Sequence, residues 1–263
     1  RNRTSPFAFT GNKFEFRMPG SAENLSDANT ILNTAVAKEL KQFVADVEGA
    51  ADFECAAAAW VKKTLNDHRR VIFNGNGYSE EWKQEAARRG LPNISNTVDA
   101  IPALITDKAI SLFERHHVLS RLELHSRAEI NYEAYIKQIN IEAKTMIDIA
   151  SKQIRPAVLK YAGSVAQSLA AIKSVGGDTS VAEELLQEIN ENIAQFHKAL
   201  KHLEEVAEQA QLLQGSSRSQ AVFCRDYVFE AMQALRVPAD ALEMLVDEDV
   251  WPFPTYGELL YNI

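Results

Sequence analysis

Charged and apolar side chains alternate near the start of the chain, in the order Lys13, Phe14, Glu15, Phe16, Arg17 and Met18. A repeat of two residues predicts a half-buried β-strand whose apolar side lies in a core. The opposite side then holds one carboxylate in a fixed row between two cations. This row suits a metal-bound phosphate, because the carboxylate can ligate Mg²⁺ while the cations offset phosphoryl charge.

A plainer interpretation of the same row is a ladder of exposed ion pairs. Most exposed charged faces are only solvated surfaces, so the spacing by itself favours this second interpretation. The residues around the row are needed to separate the two.

Two other motifs are weaker candidates for chemistry. Residues 74–78, NGNGY, are rich in glycine but lack the lysine and the spacing of a phosphate-binding P-loop, so a turn before a helix capped by Ser79 is the better prediction. His116, His117 and His125 do not predict a metal site. Adjacent side chains on a helix point about 100° apart, and no cysteine lies nearby.

The residues around the charged row resemble the late catalytic motif of type III glutamine synthetase, the large bacterial form of that family. The resemblance rests on residues 2–17, NRTSPFAFTGNKFEFR, and continues through residues 26–37, SDANTILNTAVA. Residues 251–256, WPFPTY, resemble the tail of the same family. Between the two ends, only the general character of the type III helical extension is similar.

The resemblance implies roles for four residues. Glu15 stands at the position of a metal-binding glutamate, and Arg17 at that of an arginine that contacts substrate glutamate and its reacting carboxyl group. Lys13 stands where many relatives have an arginine that touches ATP phosphates, and Arg3 where an arginine meets the substrate and the transferring phosphate. Arginine suits such positions because it stays charged and offers two donors to a carboxylate or phosphate.

The chain departs from the commoner short enzymes of this family. The segment between Arg3 and Glu15 is shorter, and residues 6–8, PFA, stand where those enzymes usually carry another arginine. In this family most metal ligands, the ammonium site and the main nucleotide loop precede the motif, and active sites form between subunits. We therefore expect this chain to be the C-terminal part of a longer enzyme and to be inactive by itself.

The activity implied by the resemblance is ATP-dependent ligation of glutamate and ammonia, with ATP and Mg²⁺ or Mn²⁺ as cofactors. The glutamate side chain attacks the γ-phosphate of ATP to give γ-glutamyl phosphate, and ammonia then displaces the phosphate to leave glutamine. Divalent metals and fixed cations stabilise the charge on the transferring group. The resemblance also implies a cytoplasmic homo-oligomer of stacked hexameric rings.

Two other functions remain open. A related γ-glutamyl-amine ligase would share the strand motif and differ upstream of it. Alternatively, the chain is a non-catalytic helical scaffold or assembly module, and its charged strand is only structural.

Composition limits the class of protein. The 263 residues can bury a sizeable core in one large or two small domains, and a formal net charge of −8 argues against nucleic acid or an anionic membrane as the main partner. No apolar run approaches the roughly 20 residues of a membrane span. Cys55 and Cys224 form no disulfide framework, fit a reducing compartment and are predicted to be small buried residues.

We predict a mainly α fold in three parts. Residues 1–50 are assigned to the end of an α+β glutamine synthetase catalytic domain, with the strand motif followed by a helix that Ser26 or Asp27 caps. Residues 51–216 form a helical extension, which begins with a helix at about 52–69 and continues with short helices over 71–127. Residues 217–263 hold C-terminal helices and an aromatic tail.

The extension should contain a long antiparallel helical hairpin at about residues 128–212. Its second arm shows an unbroken 3-4 spacing of apolar residues from Leu186 to Ala210. Only residues 176–178, GGD, separate the arms, which is too short for anything but a reversal of direction.

The first arm of the hairpin follows the same rhythm, and Pro156 should bend it. The positions predicted to face the second arm are Ile136, Ala143, Ile147, Ala150, Ile154, Ala157, Tyr161, Ser164, Ser168, Ala171 and Val175, with Asn140 as the one polar interruption.

The C-terminal part is predicted to hold one helix from Val222 to Leu235 and a separate short helix that restarts around Pro238. The aromatic tail from Trp251 should dock onto the same subunit or a neighbour, with the intrachain contact favoured, and should hold a short final helix near residues 258–260.

Overall fold

The computed structural model describes residues 7–9, 13–16, 24–77 and 79–261 of the chain. Within these residues the fold is mainly helical, as the sequence predicts. The chain divides into two compact units, unit 1 (Arg1–Ala128) and unit 2 (Glu129–Ile263). None of the helices in the described part of the chain is both long enough and apolar enough to cross a membrane.

Two short strands are the first described elements of unit 1. Strand β1 (Phe7–Phe9) pairs antiparallel with strand β2 (Phe14–Phe16), and Ala8 lies opposite Glu15. Strand β2 falls within the segment in which alternating residues predict a strand.

The predicted burial of Phe14 in a core is wrong, because its side chain is 55% exposed. A ribbon with three residues in each strand has too little apolar surface to build a core of its own. The side chains of Phe16 and Met18, which the same prediction placed in the core, lie outside the described part of the chain.

Polar side chains begin the first two helices of unit 1. Asn24 caps α1 (Leu25–Val47), and Asp52 caps α2 (Phe53–Asp67), because each side chain accepts a hydrogen bond from a backbone N–H of the first turn. These bonds satisfy donors that a helix start leaves unpaired. The predicted cap, Ser26 or Asp27, is therefore wrong, because both residues lie inside the first turn of α1.

Short helices then follow, as predicted. These helices are a 3-10 turn (Arg69–Val71), α3 (Glu80–Arg88), α4 (Thr97–Ala100), a second 3-10 helix (Ile101–Ile105) and α5 (Asp107–Arg115). Ser79 caps α3, because its hydroxyl oxygen accepts a hydrogen bond from the N–H of Trp82.

Helix α6 (Arg121–Ile149) begins seven residues before the predicted start of the first hairpin arm. Ser120 and Glu123 explain the earlier start. The Glu123 carboxylate accepts from the Ser120 N–H over 2.7 Å, and the Ser120 hydroxyl accepts from the Glu123 N–H over 3.3 Å. This reciprocal pair is a capping box, a strong start signal that the apolar spacing does not contain.

A π-helical turn (Ala150–Ile154) separates α6 from α7 (Arg155–Ser174). The turn ends two residues before Pro156. Proline lacks an N–H, and in a regular helix its ring would clash with the carbonyl group four residues back. A π turn contains one residue more than an α turn. The apolar side of α7 therefore shifts by one position along the sequence.

This shift changes which residues of α7 are buried. Val158 and Val165 are buried, whereas the spacing predicted Ala157 and Ser164 at the contact. Val175, the last predicted contact, is 83% exposed. The register predicted beyond the proline is thus wrong by one residue.

Helix α8 (Ser180–Leu212) packs against α7 and against a later helix, α10 (Glu230–Glu243). Residues 175–179 join α7 to α8, and the two helices contact each other. The buried face predicted for α8 is confirmed, and its fully buried side chains are Ile189, Phe196, Leu200 and Leu203.

The C-terminal helices differ from the prediction at Pro238. A short helix α9 (Ser217–Phe223) and a π turn (Cys224–Phe229) lead into α10, which continues through Pro238 to Glu243. The predicted helix break is therefore wrong. Arg236 and Asp240 form two hydrogen bonds of 2.9 and 3.2 Å across this position, which supports the turn where the proline removes a backbone donor.

Two residues of the aromatic tail contact their own chain, as predicted. Trp251 and Phe253 pack against the core of unit 2, and their rings meet edge to face at 6.3 Å. The final helix, α11 (Tyr256–Tyr261), covers the segment in which a short helix was predicted.

The two cysteines have different surroundings. Cys224 is buried in the core of unit 2, as predicted, and burial raises the pKa of its thiol. The predicted burial of Cys55 is wrong, because none of the residues of α2 is buried and this thiol is exposed.

Candidate functional site

Strand β2 fixes the position of Glu15, whose backbone lies opposite Ala8 of β1. Its carboxylate is only partly covered, with 37% of the side chain exposed. Lys13 lies two residues earlier, and residues two apart in an extended segment point to the same side. The distance from Lys13 Nζ to Glu15 Oε1 is 3.5 Å.

This ion pair adds little to the stability of the fold. An exposed pair of this kind contributes only about 0–1 kcal/mol to folding. However, carboxylate oxygens are ligands that Mg²⁺ prefers, and a lysine ammonium group binds phosphate as a point charge. Because the side chain of Lys13 is 66% exposed, its ammonium group can reach an anion from solvent.

The other two predicted site residues, Arg3 and Arg17, lie outside the described part of the chain. Of the row Lys13, Glu15 and Arg17, the structure places the first two and brings them together.

The described residues supply one candidate carboxylate rather than a complete metal centre. Within residues 7–9, 13–16, 24–77 and 79–261, no group of three or more His, Cys, Asp or Glu side chains could hold a metal ion. A nucleotide-bound Mg²⁺ uses only one or two protein carboxylates and takes its other ligands from phosphates and water. Glu15 therefore fits a partial contribution to such a centre.

A large apolar cavity of unit 1 adjoins this strand, with a volume of about 980 Å³. Phe14 of β2 lines it, together with side chains from α1, α2 and α5, among them Leu32, Leu40, Phe43, Trp60 and Leu112. The sequence predicts the apolar row of α1, but it does not predict that side chains of this row remain exposed to solvent. Leu40 is 59% exposed and Val44 is 55% exposed.

The chain matches the family model of the glutamine synthetase C-terminal domain over residues 56–173, from α2 to α7. It is also 35% identical over 280 residues to the type-3 glutamine synthetase of Dictyostelium discoideum, in an alignment that covers 99% of this chain and 37% of that protein. The chain belongs to the glutamine synthetase family. The resemblance to type III glutamine synthetase is thereby confirmed.

Two further glutamine synthetases match along the whole chain. The enzyme of Butyrivibrio fibrisolvens is 35% identical, with 100% of this chain and 38% of the relative covered. The enzyme of Bacteroides fragilis is 32% identical, with 100% and 37% covered. This chain therefore spans less than two-fifths of the length of these relatives and corresponds to their C-terminal part.

The two kinds of match cover different parts of the candidate site. The family model covers helices only, whereas the alignments with the three glutamine synthetases also include β2 and Glu15. The assignment of the strand motif to this family thus rests on the alignments.

Proposed function

We propose that this chain is the C-terminal part of an ATP-dependent glutamate-ammonia ligase, a cytoplasmic enzyme of nitrogen assimilation. The reaction forms glutamine through γ-glutamyl phosphate. The observation that carries the proposal is the Lys13–Glu15 pair on β2, in a chain similar along its whole length to glutamine synthetases.

Each of the four candidate residues has a separate role in this proposal. Glu15 supplies one carboxylate to Mg²⁺ or Mn²⁺, and Lys13 binds the phosphates of ATP. Arg3 meets the transferring phosphate, and Arg17 orients the substrate glutamate through two parallel hydrogen bonds. The metal, when bound, neutralises charge that develops on the phosphoryl group.

The open apolar face of unit 1 supports a division of the active site between this chain and the upstream part of the enzyme. Exposed leucine, valine and phenylalanine side chains around a cavity of about 980 Å³ are unfavourable in water. We infer that the upstream part covers them. It also supplies the remaining metal ligands and the nucleotide loop, so this chain alone is inactive, and the whole enzyme assembles as stacked hexameric rings.

Glu15→Gln in the whole enzyme tests the metal role, because it keeps the size of the side chain and removes its charge. We expect kcat for glutamine formation to fall by roughly 100-fold or more and the Mg²⁺ concentration for half-maximal activity to rise. Glu54→Gln, an exposed carboxylate on α2, is the matched control and should keep full activity. Unchanged metal-dependent activity of Glu15→Gln would leave only a scaffold role for this strand.

The amine substrate is tested with the whole enzyme by replacing ammonia with polyamines. A glutamate-ammonia ligase uses ammonia far better, whereas faster turnover with a polyamine would show a γ-glutamyl-amine ligase. The isolated 263-residue chain should form no glutamine from ATP, glutamate and ammonia. Turnover by the purified chain would refute the division of the active site.

A further inference from the structure

Unit 2 contains a cavity of about 320 Å³, bounded by α6, the π turn after it, α8, α10 and the aromatic tail. Ligand sites occupy roughly 300–1,000 Å³, and a cavity of about 150 Å³ already admits benzene. A two-ring aromatic molecule therefore fits in this space. None of the lining residues belongs to the charged row of β2, so a ligand here is separate from the proposed reaction.

The inner part of the cavity is apolar and largely aromatic. Phe196 and Leu235 line it and are at most 2% exposed. Met146, Trp251 and Phe253 are partly buried against the same core. Aromatic rings and a thioether pack favourably against another ring, and a ring that enters this part leaves water. An aromatic group is therefore well suited to the inner part.

Charged side chains line the cavity on one face of α10. Arg236, Asp240 and Glu243 follow each other at steps of four and three residues, so they share a side of the helix. The side chains of Arg236 and Asp240 are 62% and 53% exposed, and Glu243 is exposed as well. The cavity therefore opens to solvent beside these three residues, and its buried apolar residues form the inner end.

The mouth of the cavity has an excess of negative charge. Arg236 donates two hydrogen bonds to Asp240, so these two charges compensate each other. Glu243 forms no ion pair with the residues that the structure describes. The mouth is thus left with the net charge of one carboxylate. A cation is attracted to this position and an anion is repelled, because charges beside an apolar cavity are less screened than charges in bulk water.

We propose that this cavity binds a small aromatic amine in its ammonium form, with the ring among the buried side chains and the ammonium group beside the Glu243 carboxylate. 1-Naphthylmethylamine is a suitable probe, because it has two fused rings and one ammonium group. 1-Naphthylmethanol has nearly the same shape without the charge, and 1-naphthoate has the opposite charge. Methylammonium has the charge without the rings.

The test follows the methyl signals of the four methionines by NMR, in the 263-residue chain labelled with ¹³C at these groups. Met146 lines the cavity, whereas Met244 is 84% exposed and is the internal reference. A Met146→Leu variant assigns the first signal. 1-Naphthylmethylamine should shift the Met146 signal saturably, and 1-naphthylmethanol should bind roughly threefold more weakly. 1-Naphthoate should bind more weakly still, and methylammonium should leave the signal unchanged.

Glu243→Gln tests the charge at the mouth, because it keeps the size of the side chain. It should weaken the binding of 1-naphthylmethylamine roughly threefold and leave the binding of 1-naphthylmethanol unchanged. Glu230→Gln is the matched control, since Glu230 is exposed on the same helix but does not line the cavity. It lies about 20 Å away along the helix, where salt screens its charge, so both affinities should stay the same.

A second pair of variants tests the space inside the cavity. Ala239→Leu fills part of it and should abolish saturable binding of both probes. Ala234→Leu makes the same change at an exposed position of α10 that does not line the cavity, and it should leave binding unchanged. Any of four results would overturn the proposal: no saturable shift of the Met146 signal, equal affinities for the amine and the alcohol, an unchanged preference for the amine in Glu243→Gln, or retained binding in Ala239→Leu.

Discussion

Trp60 of α2 donates a hydrogen bond from its Nε1 atom to the carboxylate of Asp46 on α1, over 2.9 Å. The Trp60 ring also meets Phe43 edge to face at 5.0 Å. Helices α1 and α2 are thus joined by a polar contact and by two aromatic contacts, since the Phe43 ring also meets the Phe53 ring edge to face at 6.4 Å. Asp46 receives a further bond from Gln42, and the Trp60 and Gln42 hydrogen bonds lower the pKa of its carboxyl group.

Trp60→Phe should raise the pKa of Asp46 toward its ordinary value, because it removes the stronger of the two donors while retaining a ring beside Phe43. A carboxyl group with a lowered pKa stabilises the folded state above its ordinary pKa and loses this effect as the pH falls. The loss of thermal stability should therefore be larger at pH 7 than at pH 2, where only the change from the larger to the smaller ring remains. Carboxyl ¹³C NMR titration measures the pKa, and Gln42→Met should raise it by less.

Glu85→Gln should reduce the stability of unit 1 in a pH-dependent way. Hydrogen bonds from Arg88 at 2.6 Å and Arg89 at 2.5 Å lower the pKa of Glu85 from 4.5 to about 2. The folded state is therefore favoured above pH 4.5, and this contribution disappears as the pH falls toward 2. Urea midpoints of the chain and the variant should differ at pH 7 and converge near pH 2.

Glu184→Gln is the control for this experiment, since it removes a carboxylate from α8 of unit 2. It should leave the pH dependence of the parent chain intact. If the urea midpoints of Glu85→Gln and the parent chain differ by the same amount at every pH, the prediction is wrong.

Leu200→Ala should destabilise unit 2 by about 2–5 kcal/mol, because it removes a fully buried side chain from α8 and leaves a cavity. Leu212→Ala at the end of the same helix makes the same chemical change where the side chain is 69% exposed. It should alter the free energy of unfolding by no more than about 0.5 kcal/mol. Chemical denaturation of both variants checks the burial of this helix face, and equal losses would show that it is wrong.

Gly163, in the middle of α7, and Gly176, in the turn after this helix, should respond to alanine in opposite directions. Gly163 lies inside α7 with open space around its Cα, so Gly163→Ala should stabilise the helix by up to about 1 kcal/mol. Gly176 has a φ of 74°, which alanine rarely adopts, so Gly176→Ala should cost about 1 kcal/mol or more. Thermal unfolding of the two variants measures both effects, and changes of the same sign would contradict the turn geometry.

Sequence patterns predicted the elements of this chain better than their registers. The 3-4 spacing identified the buried face of α8, where Phe196 and Leu203 are fully covered. The same spacing failed beyond Pro156, because the π turn before it shifts the face of α7 by one residue. Hydrophobic spacing assumes a constant number of residues per turn, and it cannot show where that number changes.

The candidate site was also only partly predictable. Alternation around Glu15 predicted a strand and a row of charges, and the structure brings Lys13 and Glu15 to 3.5 Å. The alternation did not predict that the side chain of Phe14 would be 55% exposed beside an apolar cavity. Alternation assigns a residue to a side of a strand, whereas burial depends on which other parts of the protein cover that side.

The sequence by itself determined the family and the mainly helical class, because these follow from residue types at fixed local spacings. Only the tertiary structure decided which side of α7 is buried, that α10 continues through Pro238, and that Phe14 is exposed. Those features depend on packing between segments far apart in the chain. Local spacing contains no information about such contacts.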